Sequence, residues 1–463
     1  MHGARIWLAI FAASAATACL KKDPLYCDAN TPCTDPELPF CDLNGEFPAS
    51  EGIKHTCIPS PFDAGPSDTD GGPGRRVVEL FLGYERTCAL INDGAVRCWG
   101  KEALGYPAGA APVGDNEHPY EAGDVPTGGP IREVALTIDF SCFLYETGKV
   151  RCVGDNDSGH LGYGHTDPIA DTPAEAPDLD LGEPVDHIAG GYSHACAILQ
   201  SGALRCWGYA AYGGLGYQTL DTTFGDDETP AELDALDIGG AVTQVTGGVW
   251  FTCAILGGGE GRLRCWGFNG SGQLGYGHTE VIGDNESPGS EGDVMVGVKE
   301  VRAFGTSSCA LLEGGGVKCW GDGDEVLGYG NVLTIGDNER ARDATTIALG
   351  GIAEHLGGGA KCTQMTNDTV RCWGKNDFGE LGTSDREPVG DNEDPADGAA
   401  AMLGEPVARL AQGVSGGHMC ALMESGAVRC WGHNNEGQLG LAHQESIGDN
   451  EPPSDAEPVR VLE

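Results

Sequence analysis

The stretch TCALINDGAVRCWG at residues 87–100 returns, with changes, at residues 195–208, 361–374 and 419–432. In each copy two cysteines stand ten positions apart, and a tryptophan follows the second cysteine. Between the cysteines, short apolar runs flank a turn of small and polar residues, which is typical of a β-hairpin. The stretch therefore predicts two antiparallel strands, and its recurrence predicts that the same unit is built several times.

The hairpin register brings the two cysteines of each unit face to face. With residues 92–94 as a three-residue loop, Cys88 lies opposite Cys98, at an α-carbon separation of about 4.5–5.5 Å that a disulfide can bridge. One pair is two residues wider, which keeps both cysteines on the same face. Buried free cysteines are the alternative. The predicted disulfides are Cys88–Cys98, Cys142–Cys152, Cys196–Cys206, Cys253–Cys265, Cys309–Cys319, Cys362–Cys372 and Cys420–Cys430.

Seven cysteine pairs mark seven units of similar length, which indicates a solenoid or a propeller. Each unit supplies four strand candidates, A to D; in the fifth unit these are residues 292–296, 299–304, 308–313 and 316–320. The first unit begins at its B strand, residues 77–82, and residues 456–463 form an A strand that nothing follows. The predicted fold is therefore an all-β, seven-bladed β-propeller at residues 77–463, closed by the C-terminal strand 456–463, which completes the first blade.

The tryptophans alternate with the cysteines along strand D and therefore point to the opposite face of the blade. Because both faces of a blade lie against neighbours, we predict that they pack between blades; stacking on a ligand is the alternative. The second unit has Val153 at this position, which predicts a smaller contact there. The predicted packing residues are Trp99, Trp207, Trp266, Trp320, Trp373 and Trp431.

The N-terminal residues resemble an export signal. Arg5 precedes an apolar run at residues 6–18 that is too short to span a bilayer, and the sequence ATA ends directly before Cys19. The chain has 19 cysteines, so lipid on Cys19 would leave an even number for disulfides. We predict a signal peptide at residues 1–18, lipidation of Cys19, and a lipid-anchored protein of the bacterial cell envelope, with the outer membrane or the surface favoured. Cleavage without lipidation is the alternative.

Residues 19–58 form a small cysteine-rich segment, which must depend on disulfides because it is too short to build a core. The pairing among its later cysteines stays open, and a zinc site is the alternative. Residues 59–76 are rich in Pro, Gly, Ser and Asp and predict a flexible linker. The four cysteines concerned are Cys27, Cys33, Cys41 and Cys57.

The strings CWGFNGSGQLGYGH at residues 265–278 and CWGHNNEGQLGLAH at residues 430–443 resemble the signature of regulator of chromosome condensation repeats. The resemblance implies a seven-bladed propeller whose ring is closed by a blade shared between the chain ends. The founding eukaryotic member is a nucleotide exchange factor that binds chromatin. A net charge of −43 argues against nucleic acid as a partner, and we expect no exchange activity. Exported bacterial members, one of which is a secreted β-lactamase inhibitor, are the closer comparison.

An acidic motif, GDNE, recurs in the connection after strand D, with GDDE at residues 225–228 as a variant. The first interpretation is a turn in which the polar side chains bond to nearby backbone N–H groups. The alternative is a repeated calcium site, because calcium prefers clustered carboxylate oxygens. The candidate calcium ligands are Asp115, Glu117, Asp284, Glu286, Asp337, Glu339, Asp391, Glu393, Asp449 and Glu451.

The sequence carries no recognisable catalytic motif, so the leading hypothesis is a monomeric protein- or glycan-binding scaffold without a cofactor, whose envelope or extracellular partner is unidentified. Its binding residues should lie in the loops where the repeats differ most, such as residues 209–214 and 322–326. A lyase or hydrolase acting on envelope polysaccharide is the rival, and carboxylates with His or Arg in the central channel would favour it. A calcium-stabilised structural surface protein is the third hypothesis.

Overall fold

The structure is a computed structural model of the 463-residue chain. It describes residues 74–101, 105–107, 110, 112–209, 211–219, 223–359, 361–414 and 416–462, and the backbone of two short strands near the N-terminus. The signal peptide, Cys19, Cys27 and Cys33 lie outside the described residues. The chain divides into two compact units, Met1–Gly74 and Arg75–Glu463. In the first, strands β1 (Phe40–Cys41) and β2 (Cys57–Ile58) pair antiparallel.

The regular secondary structure of the second unit consists almost entirely of short strands, joined by long turns and connections. It contains the helix α1 (Pro119–Ala122) and two 3₁₀ turns, Gly323–Glu325 and Ala341–Asp343. Among the described residues, no helix has the length and apolar character needed to cross a membrane. The strands are β3 Val77–Gly83, β4 Arg86–Ile91, β5 Val96–Gly100, β6 Ile131–Leu136, β7 Phe140–Tyr145, β8 Val150–Gly154, β9 Val185–Gly190, β10 His194–Leu199, β11 Leu204–Tyr209, β12 Thr223–Phe224, β13 Val242–Gly247, β14 Phe251–Leu256, β15 Arg262–Gly267, β16 Val298–Phe304, β17 Ser307–Leu312, β18 Val317–Gly321, β19 Ala353–Leu356, β20 Lys361–Met365, β21 Val370–Trp373, β22 Val407–Leu410, β23 Gln412–Gly413, β24 His418–Met423 and β25 Val428–Gly432.

In the second unit these strands form seven sheets, each built on three antiparallel strands that are consecutive in the repeat. In addition, β23, from the last repeat, pairs parallel with β3 of the first sheet. We number the sheets blades 1 to 7 in chain order. The first strands of blades 1 to 6 contact one another in succession, and β24 of blade 7 contacts β3 of blade 1. The first strands therefore surround a common axis, and the sheets meet side by side in a ring. The architecture is the predicted all-β, seven-bladed propeller.

The predicted hairpin of strands C and D is present in every blade. In blade 1 the N–H of Ile91 donates to the carbonyl of Ala95 at 2.9 Å, and Gly94 adopts a φ of +80° that suits glycine. Cys88 lies directly opposite Cys98, and in the wider hairpin of blade 4 Cys253 lies opposite Cys265. In all seven pairs the sulfur atoms are 1.98–2.10 Å apart, which is disulfide distance.

The structure differs from the prediction in the position of the A strands. Met295 forms an antiparallel bridge with Leu263 of blade 4, whereas we predicted residues 292–296 as part of blade 5. Val459 in the same way bridges Val428 of blade 7 and does not complete the first sheet. The segment that leaves strand D folds back along the free edge of that same strand. Each blade is therefore one continuous stretch of chain, except that β23 adds a strand to the sheet of blade 1. No described sheet closes on itself.

The C-terminal segment nevertheless connects blade 7 to blade 1. Beyond its bridge to blade 7, the carbonyl of Val461 accepts a hydrogen bond from Arg97 Nη1 at 2.6 Å. The carbonyl of Arg460 accepts one from the N–H of Tyr120 at 3.1 Å, and the Arg460 guanidinium lies 4.6 Å from the Tyr120 ring centre. This segment therefore contributes to closing the ring, together with β23 (Gln412–Gly413), which follows the first strand of blade 7 and pairs parallel with β3 of blade 1.

Backbone hydrogen bonds also join the blades near the axis. The N–H of Ile138 donates to Tyr192 of blade 3 at 2.8 Å, and the N–H of Val414 donates to Leu82 of blade 1 at 3.2 Å. A Cβ atom on Gly190 would stand 2.4 Å from the carbonyl oxygen of Leu136, so this approach of two backbones requires glycine.

The tryptophans lie between blades, as their alternation indicated. All six are at most 1% exposed, and Val153 at the same position of blade 2 is equally buried. Trp320 of blade 5 packs on Gly275 of blade 4, where a Cβ atom would come within 2.8 Å of the indole nitrogen. Its Nε1 donates to the carbonyl of Gln273 at 2.9 Å. The equivalent contacts are Trp99 with Gly440, Trp207 with Gly162, Trp266 with Gly216, Trp373 with Gly328 and Trp431 with Gly382.

Candidate functional site

The loops that differ most between repeats gather at one end of the ring. Because the three main strands of a blade alternate in direction, the turn from the first to the second strand and the exit from the third lie at the same end. We name this end the loop face. It contains both loops that we predicted to carry binding residues, 209–214 and 322–326.

Three aromatic side chains meet on the loop face between blades 3 and 4. The ring centre of Tyr212 lies 5.7 Å from that of Trp250 and 5.0 Å from that of Phe268. Tyr212 is 46% exposed, and both Tyr212 and Trp250 have φ near +60°. Bulky residues seldom adopt this conformation, and such strain is found where the surrounding structure holds a functional arrangement in place. We refer to Tyr212, Trp250 and Phe268 as the aromatic cluster.

A second apolar area of the loop face lies on blades 5 to 7. Phe378 is 40% exposed, and its ring centre is 4.1 Å from that of His433. On blade 5, Val332 and Leu333 are 54% and 67% exposed. With Tyr212, these residues make up four of the seven large apolar side chains that are exposed in the described part of the chain. The loop face thus carries most of that exposed apolar surface.

The predicted loop 322–326 has a charged character. It forms a 3₁₀ turn in which Glu325 lies against two lysines of blade 6. Lys361 Nζ donates to the carbonyl of Glu325 at 2.8 Å, and Lys375 Nζ lies 3.2 Å from its Oε1. Burial lowers the pKa of Lys361 to about 8. This loop is therefore fixed by ion pairs, whereas residues 209–214 present an aromatic side chain.

A second constellation surrounds the axis, away from the loop face. The third residue of the first strand in every blade belongs to it. Six of these seven residues can ionise: three are glutamates, two are histidines and one is an arginine. We name this set the axial ring, and it comprises Glu79, Glu133, His187, Gln244, Glu300, His355 and Arg409.

Neighbouring members of the axial ring pair across blade boundaries. Arg409 Nη1 lies 3.7 Å from Glu79 Oε1, His187 Nδ1 lies 3.6 Å from Glu133 Oε2, and His355 Nδ1 lies 2.7 Å from Glu300 Oε1.

Three side chains of the ring also accept a hydrogen bond from the backbone of the first strand in the following blade. Glu133 Oε2 accepts from the N–H of Ile188 at 3.0 Å, and Glu300 Oε2 from that of Leu356 at 2.9 Å. Gln244 Oε1 accepts from the N–H of Val301 at 3.0 Å. The ring therefore joins blades as well as gathering charge.

The environments of the three glutamates differ. Burial raises the pKa of Glu79, and the charge of Glu133 adds to this effect. Burial would also raise the pKa of Glu300, but the hydrogen bond with His355 and the charge of Arg302 outweigh it, so the net shift is downward. The nearby carboxylate of Glu133 raises the pKa of His187. The channel thus holds carboxylates with His and Arg, the arrangement that we expected to favour an enzyme.

The axial ring was not predicted from the sequence. Five of its members stand nine residues before the first cysteine of their unit, but the shorter sixth unit and the longer seventh unit break this spacing. The shared position becomes visible only when the strand bounds are known.

The GDNE turns have the geometry of the first interpretation. Glu286 Oε1 accepts from the N–H of Gly283 at 3.1 Å, and Glu393 Oε1 accepts from that of Gly390 at 3.1 Å. The carbonyl of Gly283 in turn accepts from the N–H of Gln218 on the preceding blade at 3.0 Å. The motif therefore joins neighbouring blades. Among the described residues, three carboxylates close enough to share a metal ion occur only in the variant turn, at residues 226–228.

We expect a calcium chelator to leave thermal stability unchanged, because the glutamates of these turns already accept backbone hydrogen bonds. The measurement is the melting temperature in EDTA and in millimolar calcium, with magnesium as the control for ionic strength. A calcium-specific rise of several degrees would instead support the calcium hypothesis for the turns.

Two histidines join blades through buried hydrogen bonds. His194 Nε2 lies 3.0 Å from the hydroxyl of Thr252 on blade 4, and His418 Nε2 lies 2.9 Å from that of Thr87 on blade 1. Both side chains are at most 1% exposed. Burial lowers the pKa of His194 to about 4 and that of His418 to about 3. Both are therefore neutral at physiological pH and serve the ring's assembly.

His418 makes stability fall as the medium becomes acidic. In the unfolded chain the pKa of His418 is about 6.5. Between pH 6.5 and 3 the imidazole therefore binds a proton in the unfolded state but stays neutral in the folded state. We expect this residue to lower the free energy of unfolding by about 2 kcal/mol when the pH falls from 7.5 to 5.0. Denaturant unfolding at both pH values measures this. Between pH 7.5 and 5.0, the free energy of unfolding of His418→Gln should fall by about 2 kcal/mol less than that of the wild type. An equal fall in both proteins would contradict the prediction.

The repeats are similar to those of a known family. The profile of the Regulator of chromosome condensation (RCC1) repeat matches residues 131–159, 185–213 and 413–438. The Ultraviolet-B receptor UVR8 of Arabidopsis thaliana is 26% identical over 391 residues, which cover 83% of each chain. The E3 ubiquitin-protein ligase HERC2 of Homo sapiens is 29% identical over 70% of this chain, but the match spans only 7% of the ligase.

Solved structures show the same fold. Yeast RCC1 (Prp20), crystallised with Kap60 bound, superposes with a TM-score of 0.60 at 15% identity, covering 81% of this chain and 84% of that one. Human WBSCR16 superposes with a TM-score of 0.57 at 18% identity, covering 72% and 82%. At these identities the likeness concerns the fold alone.

Proposed function

The chain is a propeller whose repeats resemble those of the regulator of chromosome condensation family, and from this premise we propose that it is a binding protein of the bacterial cell envelope that engages a protein or glycan partner through its loop face. The observation that carries the proposal is the exposed apolar surface of that face. Large exposed patches on soluble proteins mark interaction sites. Here the two apolar areas of the loop face coincide with loops in which the repeats depart from one another.

The aromatic side chains are suited to such a contact. Tyrosine, tryptophan and phenylalanine are enriched at the buried centres of protein interfaces, where they supply large contact areas at low entropic cost. Tyr212 and Phe378 occupy equivalent loop positions, two residues before the residue that begins the x-Leu-Gly step. Other repeats have Ser158, Ser271 and Glu436 at this position. The aromatic residues are therefore a feature of particular blades and are not required by the repeat.

The relatives support a role in binding proteins. The yeast structure contains Kap60 bound to Prp20, and another describes the binding of Prp20p to Gsp1p and histones. We do not extend those partners to this chain. Its net charge of −43 would repel nucleic acid, and we propose neither exchange activity nor a nucleic-acid partner.

We also propose that the protein is exported and anchored by lipid on Cys19, as a monomer without a cofactor, at the outer membrane or the cell surface. The signal-like residues 1–18 and the odd number of cysteines support this. Mass spectrometry of the N-terminal peptide from the membrane fraction tests it, and an unmodified Cys19 thiol would contradict it.

The loop face is tested by capture of envelope components. The bait is the wild-type propeller, and the test variant combines Tyr212→Ser and Phe378→Ser. Its matched control combines Ile352→Ser and Met402→Ser, which also remove two exposed apolar side chains but lie at the opposite end of the ring. We expect a partner that the control retains and the test variant loses at least tenfold. Equal capture by both variants would place the contact elsewhere.

The axial ring supports a second candidate, an enzyme acting on envelope polysaccharide. Glu79 has a raised pKa and lies next to Glu133 in ring order, and hydrolysis of glycosidic bonds uses two carboxylates in unlike environments. The test is release of reducing ends or unsaturated products from envelope polysaccharide. Activity that Glu79→Gln abolishes and the loop-face variant retains would favour the enzyme over the binding protein.

A further inference from the structure

We propose that the aromatic cluster binds an extended, proline-rich segment of a protein partner. This inference rests on the proposed function, since it names the kind of partner that the loop face takes and the residues that hold it. Of the protein and glycan partners considered for this face, the cluster fits a protein.

Two more aromatic side chains extend the cluster toward the axis. The N–H of Tyr192 donates to the carbonyl of Gly248 at 3.2 Å, so the turn of blade 3 that carries Tyr192 lies beside the turn of blade 4 that carries Trp250. The ring of Tyr192 meets that of Tyr84 from blade 1 edge to face, with the ring centres 5.0 Å apart. Both tyrosines are half-buried. We name these two residues and the aromatic cluster together the aromatic track, which leads from the axis to blade 4.

The cluster contains a hydrogen-bond donor that the protein itself does not use. Trp250 Nε1 is buried and has no partner among the described residues. The ring centre of Tyr212 lies 5.7 Å from that of Trp250, and Tyr212 is the most exposed member of the cluster. A buried N–H without an acceptor is costly, so a ligand that displaces Tyr212 and supplies an acceptor gains a hydrogen bond that the free protein lacks.

The stretches that build the cluster carry no charge. Residues 209–214, 248–251 and 268–271 contain no Asp, Glu, Lys, Arg or His, although the chain as a whole has a net charge of −43. A charged ligand group would lose its hydration on this surface without meeting an opposite charge. The cluster therefore matches a partner segment that is itself uncharged and largely apolar.

A glycan would find few hydrogen-bonding side chains here. Asn269 is fully buried, and its Nδ2 donates to the carbonyls of His278 and Glu280 at 2.7 and 2.9 Å. Its Oδ1 accepts from the N–H of Leu274 at 3.0 Å, so this amide is already engaged within its own loop. The hydroxyls of a sugar would lose water on this surface while gaining few partners, which costs free energy. These contacts favour a polypeptide over a glycan.

The partner segment is expected to be extended and rich in proline. The loop face presents turns and strand ends, so an added β-strand would find no sheet edge here. An α-helix uses its own carbonyls internally and would offer none to Trp250 Nε1. A polyproline II segment has no internal hydrogen bonds, so its carbonyls remain available as acceptors, and such segments dock on aromatic side chains. It therefore uses both the rings of the aromatic track and the indole donor.

The test is isothermal titration with decaproline as the probe, beside a Gly-Ser peptide of equal length and cellohexaose. The indole N–H of Trp250 is followed by NMR of isotope-labelled tryptophan. The variants are Trp250→Phe, which keeps a ring and removes the donor, and Tyr212→Ser, which removes the exposed ring. The matched control is Ile352→Ser, which removes an exposed apolar side chain at the opposite end of the ring. Thermal unfolding checks the fold of each variant.

We expect decaproline to bind and to shift the Trp250 indole resonance downfield, whereas the Gly-Ser peptide and cellohexaose do not bind. The affinity should fall at least tenfold in Trp250→Phe and in Tyr212→Ser and stay unchanged in Ile352→Ser. Absence of decaproline binding, equal binding of the Gly-Ser peptide or of cellohexaose, or full affinity in Trp250→Phe would overturn the proposal. A partner captured through the loop face while decaproline does not bind would support the proposed function and contradict this inference.

Discussion

Replacing Trp320 with alanine is expected to lower the free energy of unfolding by about 3–5 kcal/mol. The side chain is completely buried between blades 4 and 5 and packs on Gly275, so its removal leaves a cavity at a blade boundary. The hydrogen bond from Nε1 to Gln273 is lost as well. Denaturant unfolding at neutral pH measures the loss, and a change below 1 kcal/mol would show that the boundary does not depend on this contact.

A pair of milder variants separates the hydrogen bond from the packing. Trp207 occupies the same position in blade 3 and is equally buried, but among the described residues its Nε1 has no hydrogen-bond partner. Substitution of phenylalanine for Trp320 removes a bonded donor, whereas the same substitution at Trp207 removes an unbonded one. We expect Trp320→Phe to be more destabilising by about 1 kcal/mol. The reverse order would contradict the assigned bond.

A chain that ends at residue 456 is expected to lose about 3–6 kcal/mol of stability. The truncation exposes the edge of blade 7 that Val459 covers and removes two valines that are 6% and 3% exposed. It also leaves Arg97, buried between blades 1 and 7, without the carbonyl of Val461. The first and seventh blades then meet without the segment that contacts both.

The control for the truncation is a chain that ends at Val461. It retains both valines, the bridge to Val428 and the acceptor for Arg97, and it should unfold like the full chain. Hydrogen exchange should show faster exchange confined at first to blades 1 and 7 of the shorter chain. Equal free energies of unfolding for the two truncated chains would mean that the C-terminal segment does not support ring closure.

The hairpins could be predicted from sequence because their information is local. The turn at residues 92–94 and the ten-residue spacing of the cysteines fix the register that pairs Cys88 with Cys98. The position of Met295 could not be predicted in the same way. Its strand-like segment fits beside either neighbouring sheet, and only the three-dimensional path shows that it returns to Leu263 of the preceding strand.

The candidate site was predictable in part. Variability between repeats indicated the loop at residues 209–214, and Tyr212 of the aromatic cluster lies there. Trp250 and Phe268 come from the next blade, and sequence proximity does not bring them to Tyr212. The axial ring was missed because its members are far apart in the chain, and each is a single polar residue within a short strand.

The central claim is that each repeat builds one blade whose second and third strands are joined by their own disulfide. Peptide mapping by mass spectrometry without reduction, on protein taken from an oxidising compartment, tests it most directly. We predict seven bridges, each within one hairpin, beginning with Cys88–Cys98 and ending with Cys420–Cys430. Free thiols at these positions, or bridges between cysteines of different blades, would contradict the account.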